Sequence, residues 1–176
     1  MRFRNGTPED AERVAALHTA SWQTAYAELM PSTYLNGPLR EDHLAKWRAR
    51  TADPHGRWLL LAEDGDELRG FIHLVTAPDG RIHVDNLHAR PGRLGTGIGH
   101  RLLRRGFAWA AAEHPGQDVY LEVLRGNDRA IAFYERQGGI RTAEGPVRLS
   151  PDLVLNEIEY TWPAAKVQTL AKAPAP

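Results

Sequence analysis

The residues that most clearly suggest a chemical role form a glycine-rich stretch in the middle of the chain, Pro91–Gly99, which holds four glycines. It follows a run of alternating apolar residues and precedes a long helical pattern that begins near Ile98. Glycine leaves main-chain N–H groups accessible to a ligand. The first turn of a helix adds unpaired N–H groups and the positive end of its dipole. Together these features predict a binding site for a phosphate or pyrophosphate group.

The two common nucleotide-binding motifs do not fit this stretch. A dinucleotide fingerprint requires a third glycine where the chain has His100, and a Walker loop requires a lysine, which the stretch lacks. A glycine-rich connection without a ligand is the alternative interpretation at this point.

A second candidate segment, Asn127–Gly139, begins with a polar residue and continues with a helical pattern. Asn127, Ala130, Ile131 and Tyr134 recur at helical spacing, so they share one face of the predicted helix. A polar side chain and a phenol two turns apart can both reach a ligand that lies along this face. The alternative is an amphipathic helix whose aromatic residues belong to the core.

Together, the two segments resemble the GCN5-related N-acetyltransferase (GNAT) family. The loop is similar to the family's Gln/Arg-x-x-Gly-x-Gly/Ala pattern, with Leu94 at the Gln/Arg position, and the helix is similar to Asn-x-x-Ala-x-x-Phe-Tyr-Glu-x-x-Gly-Phe, except at Gly139. The resemblance covers nearly the whole chain to Trp162. It implies acetyl-CoA as the cosubstrate, bound by Leu87, Ala89, Leu94, Gly95, Thr96, Gly97, Ile98, Gly99, Asn127 and Tyr134.

The resemblance also implies direct transfer of the acetyl group to a primary amine of a small molecule or peptide. Tyr134 would protonate the departing thiolate, since a phenol with an ordinary pKa of about 10 is protonated at neutral pH. The family's base position, eight residues before Pro91, is occupied by His83 instead of a glutamate. A histidine with an ordinary pKa of about 6.5 suits this role. Asp85 is then its orienting partner or the base itself, and solvent is a third proton acceptor.

The acceptor pocket is expected on the first predicted helix, which runs from the Thr7-Pro8 cap to Met30. His18, Trp22 and Tyr26 follow one another there at four-residue intervals and could line the pocket, although simple packing explains them as well. Two other functions stay open: a non-catalytic acyl-CoA-binding or sensing module, and an N-acyltransferase that uses another acyl-CoA. A metal site is not expected.

The order of the elements predicts an α/β (α+β) chain. The resemblance implies the GNAT fold, a mixed central β-sheet of about six or seven strands flanked by about four helices. Strands Arg81–Ala89 and Val119–Val123 are expected to run parallel, because a helix lies between them. The resemblance implies that they splay apart and admit the pantetheine arm. Residues 1–162 are expected to form one domain, and the tail 163–176 is expected to be flexible.

The composition excludes several classes of function. The 22 basic and 22 acidic residues cancel, so neither a nucleic-acid nor a membrane partner is expected. The absence of cysteine excludes disulfides, thiolate metal sites and a cysteine nucleophile. The sequence has neither a secretory signal pattern nor a long apolar run, so a cytoplasmic protein is expected. Assembly as a homodimer is left open.

Overall fold

The computed structural model describes residues 1–92 and 95–172. In this part of the chain seven strands and six α-helices follow one another, and a short 3-10 helix, Pro8–Asp10, precedes the first α-helix. The elements are β1 (Arg2–Asn5), α1 (Ala11–Ala25), α2 (Ser32–Leu35), α3 (Leu39–Ala52), β2 (Arg57–Asp64), β3 (Glu67–Thr76), β4 (Ile82–Ala89), α4 (Ile98–Glu113), β5 (Val119–Leu124), α5 (Asp128–Arg136), β6 (Ile140–Ser150), β7 (Leu153–Trp162) and α6 (Ala164–Lys172).

The strands form one mixed sheet in the order β1-β2-β3-β4-β5-β7-β6. The pairs β1–β2, β2–β3, β5–β7 and β6–β7 are antiparallel, and β4–β5 is parallel. A single helix, α4, connects the parallel pair β4–β5, and a crossover of this kind can return the chain in the same direction. The prediction of a mixed α/β sheet is confirmed.

The parallel pairing between β4 and β5 is short. Among the described residues it comprises Ile82 with Val119 and His83 with Tyr120, although β4 continues to Ala89 and β5 to Leu124. The two strands therefore stop pairing soon after their first residues, as the expected splay requires.

The first helix begins as predicted but ends earlier. Thr7 precedes Pro8 and forms a capping box with Asp10, and the Asp10 carboxylate also accepts two hydrogen bonds from Arg4 at 2.7 Å. The prediction that the helix continues to Met30 is wrong. It ends at Ala25, because the N–H groups of Leu29 and Met30 both bond to the carbonyl of Tyr26 and form a separate turn.

The chain divides into two compact units. The first comprises Met1–Val75 and Asn86–Leu103, and the second comprises Thr76–Asp85 and Arg104–Pro176. In the first unit, α1 and α3 pack with β2 and β3 around a buried cluster: Ala11, Val14, Ala15, Leu17, Trp47, Leu61, Leu68 and Phe71.

In the second unit, the expectation of a flexible tail is wrong for residues 164–172, which form α6. Val167 of this helix is buried, the Ala164 N–H donates to Asp118 at 2.8 Å, and Gln168 donates to the carbonyl of Ala111. The buried Val167 and these two hydrogen bonds hold α6 against the rest of the second unit. Of the helices described, none is long and apolar enough to cross a membrane.

Gly70 allows the end of β4 and the start of α4 to approach β3 in the first unit. A Cβ at this position would lie 2.7 Å from the His88 carbonyl oxygen and 2.9 Å from a methyl group of Ile98. Since a backbone oxygen cannot move aside as a side chain can, even one added methyl group would push the strand or the helix away.

We expect Gly70→Ala to lower the free energy of unfolding by about 1–3 kcal/mol, as overpacking does. Urea denaturation measures this change. Gly145→Ala in β6 is the matched control, because a Cβ there meets nothing within 4 Å. If Gly70→Ala lowers the free energy of unfolding no more than Gly145→Ala does, the crowding argument is wrong.

Candidate functional site

The glycine-rich stretch adopts a conformation that side chains would resist. Gly92, Gly95 and Gly97 have φ angles of +80°, +85° and +77°. A Cβ at Gly95 would meet nothing within 4 Å, so glycine is needed there for its backbone angles and not for space. The Arg101 N–H donates to the Gly97 carbonyl at 3.0 Å, and α4 begins at Ile98.

The donor-binding residues predicted in the first unit lie on this loop and on the end of β4. Thr96 is exposed, Ile98 is buried, and Gly99 is half-buried within the first turn of α4. Leu87 and Ala89 are half-buried residues of β4. The loop and strand positions are therefore accessible along most of this segment. Leu94 lies outside the described residues.

The two predicted acceptor residues pack against each other in a cluster of rings. Trp22 and Tyr26 meet edge to face at 5.2 Å, and both are half-buried. Trp22 also contacts the rings of His43 and His18, at 5.2 and 5.5 Å. The two side chains therefore lie together, as their spacing on the helix predicted. Their role in binding an acceptor stays a prediction.

Behind Trp22, the imidazole of His18 is buried in the core of the first unit. The Trp47 indole donates to His18 Nδ1 at 3.1 Å. An indole N–H can only donate, so Nδ1 is the accepting nitrogen and Nε2 carries the proton. Burial holds the pKa of His18 well below its ordinary value, and the imidazoles of His88 and His43 act in the same direction.

A second buried histidine, His43, stacks on His18 at 3.8 Å with nearly parallel rings. The Thr19 hydroxyl donates to the Ala15 carbonyl and therefore accepts a hydrogen bond from His43 Nδ1 at 3.0 Å. Burial lowers the pKa of His43 to about 4. Both imidazoles are thus neutral at physiological pH. The sequence offered no sign of this pair, because His43 lies on a different helix.

The predicted base, His83, lies in the second unit and has a carboxylate partner on the neighbouring strand. Its Nε2 is 2.6 Å from Glu122 Oε2, and its ring stacks on Tyr120 at 4.7 Å. Asp85, the partner or alternative base predicted from the sequence, is a half-buried residue of the same strand. Sequence reasoning missed Glu122, and only the register of β4 against β5 could have revealed it.

Further acidic residues surround this histidine–carboxylate pair. Burial raises the pKa of Glu157, the charge of Glu122 adds to that effect, and His83 opposes it. On β7, Glu159 lies directly across from Glu122 and accepts hydrogen bonds from Arg81 and Thr142. The Arg81 guanidinium also lies 3.9 Å from the centre of the Tyr120 ring. This face of the sheet therefore holds several carboxylates, of which Glu159 is paired with Arg81 and Glu122 lies against the His83 imidazole.

The candidate acid, Tyr134, belongs to the second unit as well. It is nearly buried on α5 and lies 6.3 Å from the rings of Tyr160 and Trp162. Asn127 precedes the same helix, and its side-chain oxygen accepts from the Ala130 N–H at 3.3 Å. The predicted helix is confirmed, and Asn127 caps it. The binding roles predicted for Asn127 and Tyr134 stay predictions.

The departure from the resembled pattern at Gly139 has a steric reason. A Cβ there would lie 2.9 Å from the indole of Trp162 and 3.2 Å from the ring of Tyr160. These two rings fill the space next to the end of α5, where the pattern has a phenylalanine. In the described part of the chain, no three histidine, aspartate or glutamate side chains are grouped so that they could hold a metal ion.

Residues 17–139 match the family model described as the Acetyltransferase (GNAT) family. The uncharacterized N-acetyltransferase YuaI of Bacillus subtilis is 26% identical in an alignment of 173 residues, and the match covers 93% of this chain and 93% of that one. A probable N-acetyltransferase of Mycobacterium tuberculosis is 29% identical in an alignment of 144 residues, and the match covers 78% of this chain and 78% of that one.

A solved structure shares the fold. The PaiA N-acetyltransferase of Thermoplasma acidophilum, in complex with coenzyme A, has a TM-score of 0.74 at 20% identity. The similarity covers 92% of this chain and 98% of that one.

The two neutral, buried histidines predict a pH dependence of stability. The unfolded chain binds a proton at each of them below pH ~6.5, whereas the folded chain binds none at His43 until pH falls to about 4. The free energy of unfolding should therefore fall as pH falls through this window, by up to about 1.4 kcal/mol per pH unit for each histidine. Urea denaturation between pH 7 and pH 4.5 measures it.

The contribution of His43 is isolated by comparing the wild type with His43→Gln, because carboxylate titrations are common to both and cancel. In His43→Gln, the free energy of unfolding should depend less steeply on pH than in the wild type. The control His55→Gln, at an exposed position, should keep the wild-type pH dependence. Equal slopes for wild type and His43→Gln would refute the assignment.

Proposed function

Because this chain belongs to the Acetyltransferase (GNAT) family, we propose that it transfers the acetyl group of acetyl-CoA to a primary amine of a small molecule or peptide. The observation that carries the proposal is the loop in which Gly95 and Gly97 lead, at positive φ, into the first turn of α4. Main-chain N–H groups without side chains, next to a helix N-terminus, suit the pyrophosphate of the cosubstrate.

The transfer requires an unprotonated amine, a polarised thioester carbonyl and a proton for the departing thiolate. A lysine-like amine with an ordinary pKa of about 10.4 is almost wholly protonated at neutral pH, so a proton acceptor is useful. His83, held by Glu122 at 2.6 Å, is one candidate, with Asp85 and solvent as the others. A main-chain N–H near Leu87 or His88 would polarise the thioester carbonyl.

Tyr134 is our candidate for the group that protonates the thiolate. Its ring is held by neighbouring aromatic side chains, which limits the positions its hydroxyl can take. A phenol with an ordinary pKa of about 10 is protonated at neutral pH, so it has a proton to give to the thiolate as the C–S bond breaks, and the phenolate then recovers a proton from the attacking nitrogen.

The first test addresses the donor loop. Acetyl-CoA should raise the melting temperature of the wild type with increasing concentration, since it binds only the folded state. Gly97→Val should abolish the rise, because its side chain would cover the N–H groups. Gly65→Val in the turn between β2 and β3 is the control: Gly65 has φ +59°, so it carries a similar backbone strain away from the loop. A Gly97→Val protein that retains the wild-type rise would show that the loop does not bind the donor.

The second test addresses the reaction. Thiol release from acetyl-CoA is measured with n-butylamine, spermidine, a lysine-containing peptide and a peptide with a free α-amine. Amine-dependent release supports an acetyltransferase, and binding without release would indicate a sensing module. Tyr134→Phe should lower kcat by ~10²–10⁴-fold, the usual size of a general-acid effect. The affinity for acetyl-CoA should not change. An unchanged kcat would remove Tyr134 from the mechanism.

A further inference from the structure

A serine, a histidine and an asparagine form a hydrogen-bonded chain in the first unit. The Ser21 hydroxyl is 2.9 Å from His88 Nδ1, and His88 Nε2 is 3.3 Å from Asn86 Oδ1. Ser21 lies on α1, whereas His88 and Asn86 lie on β4. None of these side chains takes part in the proposed reaction as described so far.

The hydrogen bonds assign a role to each nitrogen of His88. Asn86 Oδ1 can only accept, so His88 Nε2 carries a proton. In a neutral imidazole the other nitrogen is then an acceptor, and the Ser21 hydroxyl donates to it. Asn86 is 7% exposed and holds one edge of the ring, while Ser21 and His88 are half-buried. A hydroxyl next to a base that a third group orients is the arrangement that activates an oxygen for proton transfer.

The location of these three hydrogen-bonded residues connects the two sides of the proposed reaction. Ser21 immediately precedes Trp22, the predicted acceptor residue on α1. His88 lies between Leu87 and Ala89, the predicted donor-binding residues of β4. The hydrogen bond between Ser21 and His88 therefore joins the helix expected to hold the amine to the strand expected to hold the thioester.

We propose that Ser21 and His88 form the proton acceptor for the amine substrate, with Asn86 as a positioning residue. This inference rests on the proposed acetyl transfer. The ammonium proton passes to Ser21 Oγ while the hydroxyl proton passes to His88 Nδ1. The freed amine attacks the thioester, so a C–N bond forms and the C–S bond breaks. Tyr134 protonates the thiolate and recovers the second nitrogen proton, and His88 releases its proton to solvent. One proton is released per turnover.

Other groups that titrate or carry charge surround this pair, and a pH profile must distinguish them. The ring of His18 is centred 4.6 Å from that of His88, and His43 stacks on His18. Lys46 and Arg50 of α3 act on both of these imidazoles, and Asp42 acts on His43. Phe71 of β3, whose ring also lies against His88, does not titrate.

The test uses acetyl-CoA and the most reactive amine of the panel, with kcat/KM measured from pH 5.5 to pH 10. At neutral pH, His88→Gln should lower kcat/KM by about 10²-fold or more, which is within the usual range for a general base. It should recover toward the wild type as pH approaches the pKa of the amine, because a free amine needs no base. Ser21→Ala should change in the same direction. Asn86→Asp should move the acidic limb to higher pH, because a carboxylate at Nε2 favours imidazolium.

Acetyl-CoA affinity, read from the thermal shift, should be unchanged in all three variants, and His55→Gln is the matched histidine control. A His88→Gln protein with the wild-type pH profile, or one whose loss alkaline pH does not restore, would overturn the proposal. Loss of the acidic limb in His83→Gln but not in His88→Gln would assign the base to His83 and overturn it as well. Absence of transfer by the wild type to every amine would instead refute the proposed function, and this inference with it.

Discussion

The arrangement of the first unit depends on one buried hydrogen bond, from the Trp47 indole to His18 Nδ1. Because the indole can only donate, His18 must be neutral, with its proton on Nε2. Both rings are buried, so the bond joins α1 to α3 inside the core and leaves neither ring free to turn. The stack of His43 on His18 follows from this orientation. The same helix, α1, also brings Ser21 within hydrogen-bond distance of His88.

In the second unit the corresponding constraint is electrostatic. Cross-strand pairing puts Glu122 opposite Glu159, and like charges in this position destabilise a sheet unless each finds a partner. Arg81 pairs with Glu159, and His83 pairs with Glu122. The His83 imidazole therefore has a carboxylate partner on the neighbouring strand. The two histidines of β4 have different surroundings: His83 faces a carboxylate, whereas His88 bonds to a hydroxyl and an amide.

The sequence alone was enough to predict most elements and the candidate donor loop. Gly95 and Gly97 have positive φ angles in the tight turn before α4. Glycine adopts such angles without strain, so glycines at these positions indicate the turn directly. The helix after Asn127 and the parallel relation of β4 and β5 were readable for the same reason, since caps, periodicity and crossover connections are local properties. The end of α1 and the helix α6 were not, because each depends on contacts made elsewhere in the chain.

Residue types and their spacing along the chain indicated which side chains could bind a pyrophosphate, transfer a proton or line an aromatic pocket. Which of these side chains meet could be read only from the folded protein. Glu122 reaches His83 through the register of two parallel strands, and Ser21 reaches His88 across more than sixty positions of sequence. Distances of this kind depend on how helices and strands pack, and packing is set by the shapes of many side chains at once. No spacing along the chain encodes them, so the partners of both histidines became visible only in the folded molecule.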